Sequence, residues 1–329
     1  MFKPDQCDFC GKCLESCQWM DVDQNDAVLW MKQMAAGQET PVLQHCITCY
    51  ACNEICPTSA NPFDLIASLQ HRHFSVTPET AIQATEARYF FSGQMKEVPR
   101  HDRIMTTCVF EKSHPALFQG SLYDLPKVGG KPFFCWVLFS HMGAVGVQNT
   151  HAAELVSRLA ATGAKEVVCF HDDCYAILKT IAPEEGIHVP FRPVHLAEYL
   201  VERLKAHRSR IKPLNLRVAY QRPCASRHTP EKEGYIDELF SLAGVERVER
   251  EYDREKALCC ANVKLLLGQG DPEPDKRKNV MDALNHKADL LVCLCPMCIQ
   301  ALSDTAHPLG LPVVFLGDIA RMAMGEISV

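Results

Sequence analysis

The feature that most constrains this chain is the placement of its cysteines. There are 18 among 329 residues, and they fall into three groups. Cys7, Cys10, Cys13, Cys17, Cys46, Cys49, Cys52 and Cys56 all precede residue 60. Cys108, Cys135, Cys169 and Cys174 form a second group, and Cys224, Cys259, Cys260, Cys293, Cys295 and Cys298 a third. What so many thiols can do depends on the compartment. Met1 is followed by Phe2, Lys3, Pro4 and Asp5 with no apolar run, so no secretory leader is expected and the chain reads as cytoplasmic. A reducing compartment does not sustain a disulfide framework of this size, and thiolates that hold metal become the default. The uncharged stretch from Pro132 to Ala153 carries Ser140, His141, Gln148, Asn149, Thr150 and His151, which is too polar for a membrane span. With 40 acidic against 34 basic residues, and only the local stretch Arg203 to Lys212 strongly basic, a nucleic-acid surface is not expected either.

The first group is two copies of C-x2-C-x2-C-x3-C, the second followed by Pro57. Zinc sites take separated C-x2-C pairs, whereas four thiolates in so tight a run fit a bacterial-type ferredoxin with two cubane [4Fe-4S] clusters, the fourth cysteine of each run serving the other cluster. On that logic Cys7, Cys10, Cys13 and Cys56 hold one cluster, and Cys46, Cys49, Cys52 and Cys17 the other. Two zinc knuckles are the alternative. Val28-Leu29-Trp30-Met31, between the runs, reads as helix, so residues 1–75 are expected to form a helical dicluster domain. Gln18 stands where a proline often follows the fourth cysteine.

Beyond a linker at residues 76–104, the chain repeats itself. Val167-Val168-Cys169-Phe170-His171 aligns with Leu291-Val292-Cys293-Leu294-Cys295 at an offset of 124, and Gly186 with Gly310 at the same offset. Each copy follows a helical pattern, Ala152 to Thr162 and Arg277 to His286, and leads from an apolar strand into a helix starting at the cysteines. That is α/β periodicity with a parallel sheet. Two homologous halves are expected at 105–205 and 214–329.

In the second half, Cys224, Cys259, Cys260, Cys295 and Cys298 read C-x34-CC-x34-C-x2-C. With Arg222-Pro223-Cys224 before them and Cys295-Pro296-Met297-Cys298 closing them, these residues resemble the cysteine-rich CCG domain of the heterodisulfide reductase catalytic subunit. Similar modules occur in the iron–sulfur subunits of glycolate, lactate and anaerobic glycerol-3-phosphate oxidoreductases. The resemblance implies two repeated α/β CCG domains beside the ferredoxin part. It also implies one non-cubane [4Fe-4S] cluster, with a catalytic role, on the five thiols. Zinc or an ordinary cubane on four of the five is the alternative. Ala261 replaces the family's glycine after the Cys pair, which removes the freedom of a positive φ.

The first half departs from the pattern. Aligning Gly143 with the CCG glycine sets His141 and Met142 on the Cys pair and His171 on the first cysteine of C-x2-C, leaving Cys108 and Cys174. The first CCG domain therefore reads as degenerate, a decayed site retained as scaffold; zinc on Cys108, His141, His171 and Cys174, a set of suitable ligand types, or a cluster drawing on Cys135 or Cys169, are the alternatives. Cys169 and Cys293 read as strand residues, and Trp30, Trp136 and Phe133-Phe134 as core.

No dinucleotide fingerprint is visible, since Val128-Gly129-Gly130-Lys131 and Gly268-Gln269-Gly270 are lone turns. The expectation is therefore an iron–sulfur electron-transfer subunit of a heterodisulfide reductase-like complex. Its partners would be a flavoprotein or a membrane cytochrome b or quinone-reactive subunit, through which it could sit at a membrane. The alternatives are a disulfide reductase acting at the single non-cubane cluster, or the iron–sulfur subunit of a quinone-linked dehydrogenase.

Overall fold

The computed structural model describes residues 1–95 and 100–328. The N-terminal part is helical. Its longest early helix, Gln24–Ala35, starts where the Asp23 carboxylate accepts the amides of Asn25 and Asp26 at 2.8 and 2.9 Å, and it buries Ala27, Met31 and Met34. The third cysteine of each run sits on a one-turn helix, Cys13 on Lys12–Glu15 and Cys52 on Ala51–Ile55. Each turn is entered through a left-handed residue, Gly11 at φ 74° and Tyr50 at φ 62°. A side chain at Gly11 would meet the Val28 amide at 2.9 Å, so glycine is required there. Helix Pro62–His73 carries the domain onto the rest of the molecule.

The stretch expected as a linker, 76–104, is more ordered than its sequence suggested. It contains the helix Glu79–Tyr89, pinned by buried Ile82 and by the Glu86 carboxylate 2.7 Å from His151 Nε2. Residues 96–99 of that stretch lie outside the described residues.

Two four-stranded sheets follow. In the first half β1 (Arg103–Thr106), β2 (Lys127–Val128), β3 (Glu166–Cys169) and β4 (Arg192–His195) lie in the order β2-β1-β3-β4. In the second, β5 (Leu216–Gln221), β6 (Val245–Arg247), β7 (Leu290–Cys293) and β8 (Val313–Phe315) lie in the order β6-β5-β7-β8. The orders are identical and every strand pair is parallel. Central strands buried on both faces need unbroken apolar runs. Val167, Val168 and Cys169 in β3, and Leu291, Val292 and Cys293 in β7, are all fully buried.

The helix expected from Ala152 runs from Val145 to Ala161, and that expected from Arg277 runs from Glu273 to Asn285. Both begin earlier because Gly146, Gln148 and Asn149 in one, and the charged residues after Pro272 in the other, blur the apolar period without breaking the helix. The halves share one apolar core. Phe170 stacks on Phe315 at 5.0 Å across the junction. Trp136, Phe133 and Phe134 are buried in that core, while Trp30 is only partly buried, beside Trp19 in an open groove. Among the described residues no helix is long and apolar enough to cross a membrane.

Candidate metal centre at the junction of the two halves

A parallel sheet of this order has a topological switch between its two central strands, and ligands collect in the crevice beyond their carboxyl ends. The thiols of the second half sit there. Cys224 follows β5, the pair Cys259-Cys260 follows β6 and Cys295 follows β7. Their sulfurs form a connected series, Cys224 to Cys259 at 3.4 Å, then Cys260, Cys298 and Cys295 through successive thiol contacts. All five line a cavity of about 330 Å³, and four of them are buried.

Ala261 stands in the left-handed region at φ 61°, and Gly143, its counterpart in the first half, at φ 68°. The turn after the Cys pair therefore needs a positive φ, and alanine adopts it at a cost of about 1–2 kcal/mol. The glycine of the family motif is thus explained by backbone geometry, and the substitution leaves that geometry in place.

The opposite wall of the cavity comes from the first half. Cys108, Cys135, His141, His171 and Asp173 line it, with Tyr89, Phe110, Phe134 and Leu138. His171 Nε2 lies 3.1 Å from Cys295 Sγ, so the two residues aligned by the repeat touch one another. His141 instead places Nδ1 2.9 Å from the Thr48 hydroxyl in the second N-terminal run. Cys108 and Cys174 converge with Cys135, the three sulfurs lying within 4.8 Å of one another. Of the four residues read as a zinc set, then, two meet in a thiol triad and two imidazoles turn to other neighbours. Hydrogen bonds from Cys135 and Cys174 hold the Cys108 thiol well below its usual range.

Burial and neighbouring charges set the state of these thiols. In the N-terminal part Cys56 is an electrostatic neighbour of Cys7, Cys10 and Cys13, and Cys17 of Cys46, Cys49 and Cys52. Burial, with the Cys56 charge nearby, pushes Cys13 up to about 12, and burial pushes Cys49 up to about 11 although Arg227 opposes it. Thiols so buried stay protonated unless a metal offsets the charge. In the junction Cys295 moves the other way, to about 6, drawn by its contact with Cys298 and by the His171 imidazole against the cost of burial.

The N-terminal part docks directly beside Cys224. Glu54, between Cys52 and Cys56, accepts from Arg222 at 2.8 Å and Arg227 at 2.5 Å, the two arginines that bracket Cys224. Gln18, the residue in place of a proline, donates to the Lys256 carbonyl at 2.7 Å and so ties the first run to the second half. Ile47 and Cys49 pack in the same apolar cluster as Cys224, Cys259 and Cys260.

Known proteins share both the cysteine runs and the fold. Residues 1–57 match the 4Fe-4S dicluster domain family. A dihydromethanophenazine:CoB–CoM heterodisulfide reductase subunit from Methanosarcina barkeri is 30% identical over 186 residues, 54% of this chain and 45% of that protein. A fumarate reductase (CoM/CoB) subunit from Methanothermobacter marburgensis is 26% identical over 326 residues, 90% of this chain and 63% of that protein. The chain is thus similar to iron–sulfur subunits of heterodisulfide reductase type. The chain spans about half the length of the Methanosarcina relative, and somewhat more of the Methanothermobacter one. A hypothetical protein from Helicobacter pylori shares the fold, with a TM-score of 0.60 at 15% identity over 83% of this chain and 59% of that one.

Two features of the site were not singled out by the leading sequence expectation. One is the convergence of Cys135 with Cys108 and Cys174. Cys135 stands outside the aligned motif positions and entered the sequence reading only as an alternative ligand, yet its sulfur lies with the other two. The other is a buried ionic joint behind the centre. Asp172 Oδ1 lies 2.9 Å from His195 Nε2 and 2.8 Å from Lys232 Nζ, and its second oxygen accepts from the Ser226 hydroxyl. It bridges the helix after β3 to the segment after Cys224. The signal that could have found it is the acidic pair Asp172-Asp173 at the start of a helix otherwise expected to be apolar.

Proposed function

We propose that the chain is the iron–sulfur electron-transfer subunit of a heterodisulfide reductase-like oxidoreductase complex, exchanging electrons between two cubane [4Fe-4S] clusters in the N-terminal part and a non-cubane cluster in the second half. Cys7, Cys10, Cys13 and Cys56 would hold one cubane, Cys46, Cys49, Cys52 and Cys17 the other, and Cys224, Cys259, Cys260, Cys295 and Cys298 the third cluster. Such clusters supply one-electron transfer when bound. The observation that carries the reading is the docking of one N-terminal run against the second-half thiols. Cys49 and Cys224 are electrostatic neighbours, with Arg227 beside Cys49 and the Glu54 clamp holding the two parts together. What the chain itself does is fix these groups in place and keep water from them.

The thiol triad supports a zinc site in the first half on Cys108, Cys135 and Cys174, three ligands of the type and number zinc accepts. Metal analysis of a Cys108→Ala, Cys174→Ala double variant tests it, because unchanged zinc would refute it.

A second reading, in which the chain serves a dehydrogenase or reductase whose substrate chemistry lies on a flavin-bearing or quinone-reactive partner, is favoured by the relative that spans 90% of this chain and is named a fumarate reductase subunit. Both readings share the relay. Anaerobically purified protein is expected to carry about 12 irons per chain if all three clusters have four. About eight irons with one zinc would overturn the second-half cluster. Reduction of a model disulfide by the isolated chain from dithionite would place the chemistry here rather than on a partner.

A further inference from the structure

The first half holds two histidines at positions where the repeat would place cluster ligands, and one of them reaches across to the other half. His171 caps the helix after β3 as Cys295 caps the helix after β7. The carboxyl ends of the two sheets face each other, so the repeat positions meet, and His171 Nε2 sits 3.1 Å from Cys295 Sγ. We propose that His171 is a positioning residue for the second-half centre: its Nε2–H donates a hydrogen bond to the Cys295 sulfur and raises the reduction potential of whatever cluster that sulfur holds. This rests on the reading above that the five thiols bind a cluster.

Three observations fix the direction of the bond and its importance. A metal-bound thiolate has no proton to give, so a contact of this length places the proton on Nε2. Nδ1 faces the Asp173 carboxylate at 3.4 Å, and the Phe110 ring lies 4.8 Å from the imidazole, which together set the ring's orientation. His171 is 3% exposed, so its contact with Cys295 is shielded from bulk solvent. Hydrogen bonds to sulfur are among the main determinants of iron–sulfur potentials, because they stabilise the more negative, reduced state. The first half has thus exchanged a ligand of its own for a donor to its twin. His141, at 2.9 Å from Thr48 in the second N-terminal run, shows the same outward turn.

The test is an EPR-monitored redox titration of the full chain, purified anaerobically, as wild type, His171→Phe and His171→Gln, with iron counted for each. The midpoint of the second-half signal is expected to fall in His171→Phe and to be partly restored in His171→Gln, which keeps an N–H donor. Iron content and both N-terminal signals should stay unchanged. An unmoved midpoint at full iron content would overturn the role of His171 while leaving the cluster reading intact. Loss of about four irons in both variants would overturn it as well, by making the imidazole necessary for holding iron. Wild-type protein with about eight irons and no third signal would remove the cluster reading itself, and the inference with it.

Discussion

The two α/β halves have the same strand order, the same helix starting three residues beyond the third strand, and the same left-handed turn at Gly143 and Ala261. Yet the second half gathers five thiols around its crevice, and the first gathers three thiols and sends two imidazoles elsewhere. The comparison separates two properties that a family motif combines. The position of a site comes from sheet topology and survives in both halves; its chemistry comes from a few side chains at strand ends, and there the halves have diverged.

Four experiments would break or sharpen that contrast. The largest effect is expected from removing matched thiols. Cys224→Ser should lose about four irons per chain, whereas Cys108→Ser should lose none, read by iron analysis; equal losses would erase the distinction between the halves. Next is the joint that holds the halves face to face. Asp172→Asn leaves the Lys232 ammonium buried without its counter-charge, and denaturant unfolding should show a loss of about 3–5 kcal/mol. Third is the clamp on the N-terminal part. Glu54→Gln should cost about 1–3 kcal/mol, because Arg222 and Arg227 retain the carbonyls of Arg254, Glu255 and Ala257 as partners. That variant should also slow electron equilibration between the N-terminal and second-half signals in freeze-quench EPR. The smallest effect is a gain. Ala261→Gly relieves the positive φ and should raise stability by about 0.5–1 kcal/mol after the extra flexibility of the unfolded chain is counted, while Gly143→Ala in the twin turn should lower it. Gly143→Ala should cost more than the backbone strain alone, since the new methyl would meet Val76 at 2.9 Å.

Much of the fold was legible because it is written in local periods. The apolar runs ending at Cys169 and Cys293, each flanked by helical patterns, fixed the repeated α/β order before any contact was known. The order within 76–104 was less legible, since the helix Glu79–Tyr89 owes its place to buried Ile82, a Glu86–His151 hydrogen bond and the stacking of Tyr89 on Phe134, which no local pattern signals. The site divides the same way. The spacings of the two N-terminal runs singled out a stretch that matches the 4Fe-4S dicluster family, and those of the second half singled out five thiols that line one cavity. Cys135 entered only as an alternative beside Cys108 and Cys174, because convergence of three thiols far apart along the chain is a property of the folded chain.

What the sequence determined by itself was therefore the inventory: two ferredoxin-type runs, a duplicated α/β unit and one complete set of five thiols, all encoded in spacings a few residues or one repeat long. What only the tertiary structure decided was who faces whom. It set His171 against Cys295, Glu54 between Arg222 and Arg227, and Asp172 against Lys232, pairs far apart along the chain. The pairs between the halves form because two sheets with buried apolar faces share a core, and sharing it brings their carboxyl ends, with whatever side chains stand there, into contact. The Glu54 clamp forms because the N-terminal helices pack against the second half beside Cys224.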